Sequence, residues 1–469
     1  MAWSLFEKTG SMLLQLVVSL KVANLLMPDD FAVLAILTFF TSVALVVVDS
    51  GFSQALIRKS DPSERDFGSV FIFNMAISLI LYAVLTAAAP LVADFYGKPV
   101  IARIAPVLFL LLPVSALGVI QNAIYTRQFR FKLLSRVTLA SSLAGSAVAI
   151  AMALAGCGVW SLVGHRLAAA FFKSAALWLC NRRPPIGAFD YGSIRTMAPF
   201  SLRLLGTDII SSVSNNIAQM FIGKMHFGTL GYFNQAQKVK DMPVASAMQS
   251  VQSVTYPALA KISHDETKFA ESYRQLLMTV AFMMFPVMAG LAAVADDMFR
   301  LLLDEKWMPT VPYLRILAMS GLFAPLAGIS LNVLKVKTDG HIILNLEIAK
   351  KTVMILILAA TVMHSVKAVA WGLVAVSFSD FAITLFAASR HSSLSVLRVV
   401  RTLLPVAFVS AAMYAAVMFS GTFAAEWNAA LRLMMKIAVG AAAYAALAFG
   451  FRLESAREIR SVLTYLFVK

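Results

Sequence analysis

The sequence contains a series of long apolar runs separated by short polar breaks, and this pattern most restricts what the chain can fold into. A helix needs about 20 mostly apolar residues to cross the hydrocarbon core of a bilayer. Fourteen runs are close to this length, at residues 5–27, 31–56, 67–93, 100–124, 137–156, 158–180, 198–222, 229–256, 272–295, 311–334, 341–363, 368–388, 402–420 and 430–450. We therefore predict an all-α, polytopic membrane protein with about fourteen transmembrane helices. The first and eighth runs are polar on one side, so twelve or thirteen spans are the alternatives.

Composition supports a membrane protein and argues against a set of soluble domains. Of the 469 residues, 60% are apolar and 14% are charged, and the mean hydropathy is +0.79. Soluble domains average about 45–50% apolar and about 25% charged residues. The sequence contains no Gly-rich phosphate loop, no HExxH motif, no Gly-x-Ser-x-Gly motif and no cysteine–histidine cluster. We predict that the protein is not an enzyme and binds neither a cofactor nor a metal.

The net charge of +16 is explained mainly by membrane topology. The connections after even-numbered runs are rich in Lys and Arg, as at Arg58, Lys59 and Arg65. The connections after odd-numbered runs are poorer in cations, as at Asp296 and Asp297. Because cytoplasmic loops collect Lys and Arg, we predict that both termini are cytoplasmic. No soluble basic domain is present, so we predict no nucleic-acid partner.

Pairs of short segments recur at a nearly constant offset, which indicates an internal duplication. Arg103-Ile104 and Pro113 recur as Arg315-Ile316 and Pro325, at an offset of 212, and residues 159–164 recur as residues 370–375, at an offset of 211. Each repeat holds six spans, an even number, so the two repeats are parallel. We predict two pseudo-symmetric six-helix lobes followed by a helix pair and a cytoplasmic tail, at residues 1–183, 184–390 and 391–469.

The first helix of each half carries polar residues along one face, since they recur every three or four residues or multiples of this spacing. They are Ser4, Glu7, Ser11 and Gln15 in the first run, and Ser201, Asp208, Ser212, Asn215 and Gln219, with Asn216 beside them, in the seventh. An unsatisfied polar group in hydrocarbon costs several kcal/mol, so each stripe contacts water or protein. Hydrogen bonds between helices are one explanation. We favour a water-filled central cavity, because both halves carry the stripe.

Basic residues inside the sixth and seventh runs are candidate substrate ligands, because ionisable residues in a membrane are costly and usually functional. Arg166 and Lys173 are seven residues apart and share one helix face, beside His165, and Arg203 lies one turn into the seventh run. A cavity bearing Arg and Lys suits an anionic ligand, and the guanidinium fork matches phosphate oxygens. The alternatives are snorkelling to the membrane surface for Lys173 and Arg203, and a hydrogen-bonded core position for His165.

Acidic residues inside the runs are candidates for coupling transport to protons or sodium ions. Asp49, Asp208 and Asp380 are these candidates, and each can instead balance a basic residue. Glu347 is predicted to pair with Lys351, four residues later on the same helix. A drug or cation antiporter requires acids facing its cavity and few basic residues. The surplus of buried cations therefore favours an anionic substrate.

Six segments together resemble a known family. They are residues 26–31, 49–59, 156–163, 230–243, 257–261 and 302–307, which read LMPDDF, DSGFSQALIRK, GCGVWSLV, LGYFNQAQ running to Pro243, PALAK and LLDEKW. Their order and spacing resemble those of the Wzx-type polysaccharide flippases, in the branch of colanic-acid and teichuronic-acid exporters. The superfamily also holds multidrug and toxin extruders and lipid II flippases.

This resemblance implies a V-shaped, two-lobed helical bundle in the bacterial inner membrane. Its substrate would be an oligosaccharide repeat unit on undecaprenyl pyrophosphate, moved from the cytoplasmic to the periplasmic leaflet by alternating access and driven by a membrane gradient. Membrane lipids and a polysaccharide polymerase or export machinery are the implied partners. The family often carries an acid in the seventh helix where this chain has Ala218, so an ion site there is in doubt. The other hypotheses are a cation-coupled small-molecule antiporter and a non-transporting partner of a polymerase.

Overall fold

The computed structural model describes residues 18–49, 51–181, 187–338, 340–424 and 426–451, and these residues are almost entirely helical. The helices are α1 (18–25), α2 (Pro28–Asp49), α3 (Phe52–Arg58), α4 (Glu64–Tyr96), α5 (Val100–Phe109), α6 (Leu111–Arg127), α7 (Phe131–Leu154), α8 (Trp160–Cys180), α9 (Tyr191–Met225), α10 (Phe227–Lys261), α11 (Glu266–Leu302), α12 (Val311–Ser320), α13 (Ala324–Lys337), α14 (Gly340–Val362), α15 (Val366–Arg390), α16 (Val396–Phe423) and α17 (Ala429–Gly450). A short 3₁₀-helix, Glu305–Thr310, precedes α12. The described residues contain no β-strand, which confirms the all-α prediction.

Each predicted span from the second onward coincides with a helix or with two consecutive helices, and the first span is described only from residue 18. Three spans are interrupted, and each consists of two consecutive helices. These pairs are α2 with α3, α5 with α6, and α12 with α13. In the described part of the chain, nine helical segments are long and apolar enough to cross a membrane. The protein is therefore a multi-pass membrane protein, and the count of fourteen stays a prediction. Helices α8, α9, α10 and α14 fall outside the nine, and three of them carry the charged or polar residues identified above.

The chain divides into two compact units, Met1–Gly231 and Tyr232–Lys469. Helix α9 lies in the first unit, where it contacts α2, α3 and α4. The predicted lobe boundary after residue 183 places this helix with the second half of the chain instead. The lobe boundary follows from the sequence repeat and defines the parts of the chain that are predicted to move during transport. It therefore stays a prediction.

In the first unit, a glycine at the interruption between α2 and α3 allows α9 to approach closely. Gly51 has a φ of +69°, a left-handed conformation that glycine adopts without steric cost. A Cβ atom on Gly51 would lie 2.8 Å from the backbone carbonyl oxygen of Ser201 in α9. Phe52 and Leu56 of α3 are buried in one cluster with Ile194 and Met197 of α9. The break therefore both redirects the span and positions α9.

The N-terminus of α9 is held on α4 by hydrogen bonds. The backbone N–H of Asp190 donates to Ser69 Oγ at 2.7 Å. The Asp190 carboxylate caps α9 by accepting from the backbone N–H groups of Gly192 and Ser193 and from the Ser193 hydroxyl. These hydrogen bonds, led by the one from the Ser193 hydroxyl, lower the pKa of Asp190. The cap therefore stays ionised at neutral pH and stabilises the start of the helix.

In the second unit, α11 is the central helix and contacts α12, α13, α16 and α17. The Tyr273 hydroxyl on α11 lies 2.8 Å from Ser330 Oγ on α13, and the Tyr444 hydroxyl on α17 donates to the Phe282 carbonyl at 2.8 Å. A large apolar cluster surrounds these bonds and includes Phe269, Phe285 and Leu326. This packing attaches the C-terminal helix pair, α16 and α17, to the second unit.

An ion cluster joins α11 to α17. Asp297 is 1% exposed, and its carboxylate pairs with Arg432 and, at 2.6 Å, with Lys436, both on α17. Asp296 and Asp297, which the sequence places in the connection after the ninth apolar run, lie within α11, because this helix continues to Leu302. The helix extends past the apolar run because partners on other helices neutralise both acids; Asp296 pairs with Arg315 of α12.

We predict that Gly51→Ala destabilises the protein by about 1–3 kcal/mol, because alanine is strained at this φ and its Cβ overlaps the Ser201 carbonyl. Thermal unfolding of the detergent-purified protein measures the change. Gly206→Ala is the matched control, since no atom lies within 4 Å of the corresponding Cβ position on α9. A Gly51→Ala protein as stable as the wild type would contradict the assigned backbone conformation.

We also predict that Asp297→Ala destabilises the protein by about 3–5 kcal/mol, because Arg432 and the buried Lys436 lose the carboxylate that they share. Asp241→Ala removes a half-exposed acid from the Lys240 pair and is expected to have little effect. Thermal unfolding of both variants gives the comparison. Equal melting temperatures for the two variants would show that the cluster does not stabilise the packing of α17.

Candidate functional site

The candidate basic residues lie on α8, whose orientation is set by bonds to α6. Ser174 Oγ donates to the Val114 carbonyl at 2.8 Å, and Trp178 Nε1 donates to the Leu117 carbonyl at 2.7 Å. Asn181 Nδ2 donates to Gln121 Oε1 at 2.6 Å, one turn further along. These bonds lie on one face of α8 and prevent the helix from rotating against α6.

A second face of α8 packs closely on α7. A Cβ atom on Gly145 of α7 would lie 2.8 Å from both the His165 carbonyl oxygen and the Ala169 Cβ. His165 is half-buried at this contact. Residues seven apart are nearly aligned on a helix, so Arg166 and Lys173 share one side of α8. This side lies between the faces that contact α6 and α7. Both are half-buried. The packing of α8 on α6 and α7 thus fixes Arg166 and Lys173 along one side of the helix.

Arg166, Lys173 and Arg203 form no ion pair with any acidic side chain in the described ranges. Arg203 is exposed on α9, whereas the other two are half-buried in α8. An unpaired cation inside a membrane-spanning helix is costly, by about 2.5–3.5 kcal/mol at the helix centre. Among the residues that the structure describes, Arg166 and Lys173 of the first unit therefore have no acidic partner.

The second unit differs, because several of its spanning cations pair with acids. Lys350 of α14, whose side chain is 8% exposed, lies 2.7 Å from Glu347 and 3.2 Å from Asp380 of α15. The prediction that Glu347 pairs with Lys351 is wrong. Glu347 pairs with Lys350, one turn away on the same helix. Asp380, one of the candidate coupling acids, thus pairs with Lys350. Balancing a basic residue was the alternative stated for each of these acids.

The polar stripe of α9 serves two uses. Asn216 Nδ2 lies 3.3 Å from Ser42 Oγ of α2, so this part of the stripe joins two helices. Gln219 is buried, and Ser212 is half-buried and accepts from Asn216 through its carbonyl. Asn215 is exposed. A hydrogen bond between helices therefore explains Asn216, whereas Asn215 is exposed on α9.

The other candidate residues are distributed as follows. Asp49 is half-buried at the end of α2, and Asp208 is an exposed residue of α9 that interacts electrostatically with it. Ser11 and Gln15 lie outside the described residues, as does the rest of the polar stripe of the first run. The structure therefore places Asp49 and Asp208 in the first unit and Asp380 in the second.

Sequence reasoning did not identify an apolar cavity of about 470 Å³ in the second unit. It lies between α11, α12 and α16, and Phe285, Met288, Leu322 and Tyr414 are among its lining residues. Arg315, which pairs with Asp296, is the one charged lining residue. Apolar side chains line most spans, so no sequence pattern distinguishes these positions from ordinary helix contacts.

We predict that Arg166→Met and Lys350→Met change stability in opposite directions. Arg166→Met removes an unpaired cation and is expected to stabilise the ligand-free protein, on the order of 1–3 kcal/mol. Lys350→Met leaves Glu347 and Asp380 without their shared partner and is expected to destabilise it by about 3–5 kcal/mol. Thermal unfolding in detergent measures both. A loss of stability in Arg166→Met would contradict the assignment of Arg166 as unneutralised.

Solved structures share the fold of this chain. The lipid II flippase MurJ in an inward closed conformation matches with a TM-score of 0.75 and 15% sequence identity, over 96% of this chain and 99% of that one. An inward-facing multidrug resistance transporter of the MATE family matches with a TM-score of 0.62 and 16% identity, over 83% of this chain and 95% of that one. At these identities the likeness concerns the fold alone.

Sequence relatives come from polysaccharide biosynthesis. The succinoglycan biosynthesis transport protein ExoT of Rhizobium meliloti (strain 1021) is 24% identical over 325 residues, which is 69% of this chain and 66% of ExoT. The teichuronic acid biosynthesis protein TuaB of Bacillus subtilis (strain 168) is 25% identical over 301 residues, 63% of this chain and 62% of TuaB. The chain thus spans slightly less than two thirds of each relative. Residues 22–312 match the family described as polysaccharide biosynthesis protein, which confirms the resemblance to Wzx-type exporters, and the chain belongs to that family.

Proposed function

We propose that this protein is a flippase for oligosaccharide repeat units carried on undecaprenyl pyrophosphate, moving them from the cytoplasmic to the periplasmic leaflet of the bacterial inner membrane. The observation that carries the proposal is that Arg166 and Lys173, on one face of α8, have no acidic partner among the described residues. Membership of the polysaccharide biosynthesis protein family supports it, as do relatives named for succinoglycan transport and teichuronic acid biosynthesis. The fold shared with a lipid II flippase is consistent with a lipid-linked substrate.

The pyrophosphate group is the part of the substrate that these cations suit. A guanidinium donates two parallel hydrogen bonds to phosphate oxygens, and a lysine ammonium adds a compact charge. Arg166 and Lys173 are separated by about 10 Å along the helix axis. Their long side chains can therefore converge on one diphosphate. His165 and Arg203 are further candidate ligands for the same group.

The polar stripes suit the glycan, because sugar hydroxyls exchange hydrogen bonds with amides and hydroxyls. On α9 the candidates are Ser212, Asn215, Asn216 and Gln219, of which Asn215 is exposed. Ser11 and Gln15 of the first helix are their counterparts in the sequence. Substrate would bind between the two lobes, residues 1–183 and 184–390, which rock against each other in alternating access.

The orientation and the coupling belong to the same proposal. Positive loops place both termini in the cytoplasm. A membrane ion gradient drives the cycle, with Asp49, Asp208 or Asp380 as the coupling acid. Membrane lipids surround the spans, and a polysaccharide polymerase or the export machinery accepts the product on the periplasmic side.

The cation-coupled drug antiporter is less well supported by the site. Its substrates are cations, and a fixed positive charge at Arg166 and Lys173 repels them. The MATE likeness concerns the fold alone, at 16% identity. The charge of the first unit therefore favours the anionic lipid-linked substrate.

We predict that Arg166→Ala reduces flipping at least tenfold, because it removes the bidentate phosphate ligand. The assay reconstitutes the full chain in vesicles and measures transfer of a fluorescent monosaccharide linked to undecaprenyl pyrophosphate between leaflets. Arg166→Lys is expected to retain part of the activity, since charge is preserved but the fork is lost.

The matched control is Arg136→Ala, which removes an exposed arginine near the start of α7 and leaves the spans unchanged. It is expected to flip the probe at the wild-type rate. Unchanged flipping in Arg166→Ala would remove Arg166 from the site. Flipping that is absent in the wild type, for this probe and for longer glycans on the same carrier, would overturn the proposed function.

A further inference from the structure

Three helices of the first unit end in the same type of turn, and one of them does so with an unusual residue. In α4 and α7 the left-handed residue of the turn is a glycine, Gly97 with a φ of +63° and Gly156 with a φ of +75°. In α6 it is Phe129, with a φ of +55°. Among the non-glycine residues in the described ranges, Phe129 alone has a left-handed backbone. Glycine is the usual residue at this position because it has no Cβ atom to clash.

The hydrogen bonds at the end of α6 are those of a Schellman motif. The backbone N–H of Phe129 donates to the Thr126 carbonyl at 3.0 Å, and that of Arg130 donates to the Tyr125 carbonyl at 2.9 Å. A bulky residue is strained at the left-handed position of this motif. The side chain of Phe129 is 80% exposed, so packing within the protein does little to offset the strain. Strained residues cluster where a function requires them, which makes this turn a candidate interaction site.

Phe129 belongs to an exposed aromatic pair in a basic segment. Phe131 is 52% exposed, and its ring centre lies 6.0 Å from that of Phe129, in an edge-to-face arrangement. Both residues lie in the polar connection between the predicted spans 100–124 and 137–156. This connection, residues 125–136, contains four basic residues and no acidic one. Exposed aromatic rings beside basic residues are typical of segments that lie at a membrane surface.

The length of α7 places the aromatic pair at the level of the lipid headgroups. Helix α7 is one of the segments that are able to cross a membrane, and its 24 residues rise by about 36 Å. The hydrocarbon core of a bilayer is about 30 Å thick, and the bilayer is about 40–45 Å thick with its headgroups. The first residue of α7, Phe131, therefore lies in the headgroup layer when α7 spans the membrane. Phe129 is held at the same level, because only residues 128–130 separate α7 from α6.

Two exposed basic residues accompany the rings. Arg130 and Lys132 alternate with the two phenylalanines along the chain. Arg130 forms no ion pair with an acidic side chain in the described part of the protein. Arg127 differs, since its guanidinium donates to the carbonyl oxygens of Leu56 and Ser60, at 3.2 and 2.5 Å. Acidic phospholipid headgroups carry the charge that complements Arg130 and Lys132.

We propose that Phe129, Arg130, Phe131 and Lys132 form a docking surface for acidic phospholipids of the membrane in which the protein is embedded. The two rings insert between headgroups, where their burial offsets the backbone strain at Phe129, and the two basic side chains contact lipid phosphates. The distribution of Lys and Arg predicts that these lipids belong to the cytoplasmic leaflet. A soluble protein partner is less well supported, because the short connection already holds the rings in the headgroup layer. The proposal does not rest on the proposed function.

The test measures whether a fluorescent probe at Phe129 contacts lipid. Phe129→Cys is introduced into the full chain together with Cys157→Ser and Cys180→Ser, labelled with bimane and reconstituted in vesicles. The vesicles consist of phosphatidylcholine, alone or mixed with phosphatidylglycerol, and contain a lipid that is spin-labelled on its acyl chain close to the headgroup. We expect the spin label to quench the probe, at least twofold more strongly with phosphatidylglycerol, because the basic side chains attract acidic headgroups. Phe131→Cys gives the same measurement should Phe129→Cys not fold.

Two control variants match the position and the charge. Gln128→Cys places the probe one residue earlier, at a side chain that lines a polar pocket with Asp61, and is expected to be quenched weakly in both kinds of vesicle. Arg130→Gln, combined with the probe at Phe129, is expected to reduce the response to phosphatidylglycerol. Arg103→Gln removes an exposed arginine of α5 instead and is expected to keep that response.

Three outcomes would overturn the proposal. Equal quenching by the lipid label at Phe129 and Gln128 would show that the rings do not insert. Equal quenching at Phe129 with and without phosphatidylglycerol would exclude a preference for acidic lipids. Strong quenching at Phe129 by a water-soluble quencher, with little from the lipid label, would assign the rings to water or to a soluble protein. Lipid-dependent quenching in a protein that flips no lipid-linked glycan would contradict the proposed function and leave the docking surface standing.

Discussion

A bilayer cannot solvate a charge, and this constraint organises the structure. Each ionised side chain in a span needs a partner within the protein, a route to the membrane surface or a ligand. In the second unit, several of these side chains have partners within the protein: Asp297 is shared by Arg432 and Lys436, and Lys350 is shared by Glu347 and Asp380. In the first unit, Arg166 and Lys173 have no acidic partner among the described residues. The cost of that charge is consistent with a site kept for an anionic substrate.

The same constraint acts on the backbone. Helices satisfy their own N–H and C=O groups, so an interruption within a span exposes oxygens that something else has to bind. At Gly51 the interruption coincides with the close approach of α9, whose Ser201 carbonyl oxygen lies beside the position that a Cβ atom would occupy. The anchors of α9 on α4 and α2, at Asp190 and Asn216, keep that helix in place beside the break. The candidate basic residues of α8 and the polar stripe of α9 thus lie on helices whose orientation is fixed by hydrogen bonds.

The helical fold and much of the candidate site were predictable, because both depend on local periodicity. The apolar runs predicted where the helices lie, and the seven-residue spacing placed Arg166 and Lys173 on one face of α8 before any contact was known. The ion pairs were not predictable. Asp297 and Arg432 are separated by 135 residues, and nothing near either residue marks the other as its partner. Glu347 has two lysines about one turn away, Lys350 and Lys351. The preference for ion pairs four residues apart favoured Lys351, whereas Lys350 makes the contact.

What the sequence by itself determined is the class of protein: an all-α, multi-pass membrane protein of the polysaccharide exporter type. Hydrophobic length and helical period are properties of neighbouring residues, so they can be read without a fold. Only the tertiary structure decided which charges are neutralised, because pairing depends on which helices pack together. It placed α9 in the first unit, gave Asp380 a lysine partner, and left Asp49, Arg166 and Lys173 without one among the residues it describes.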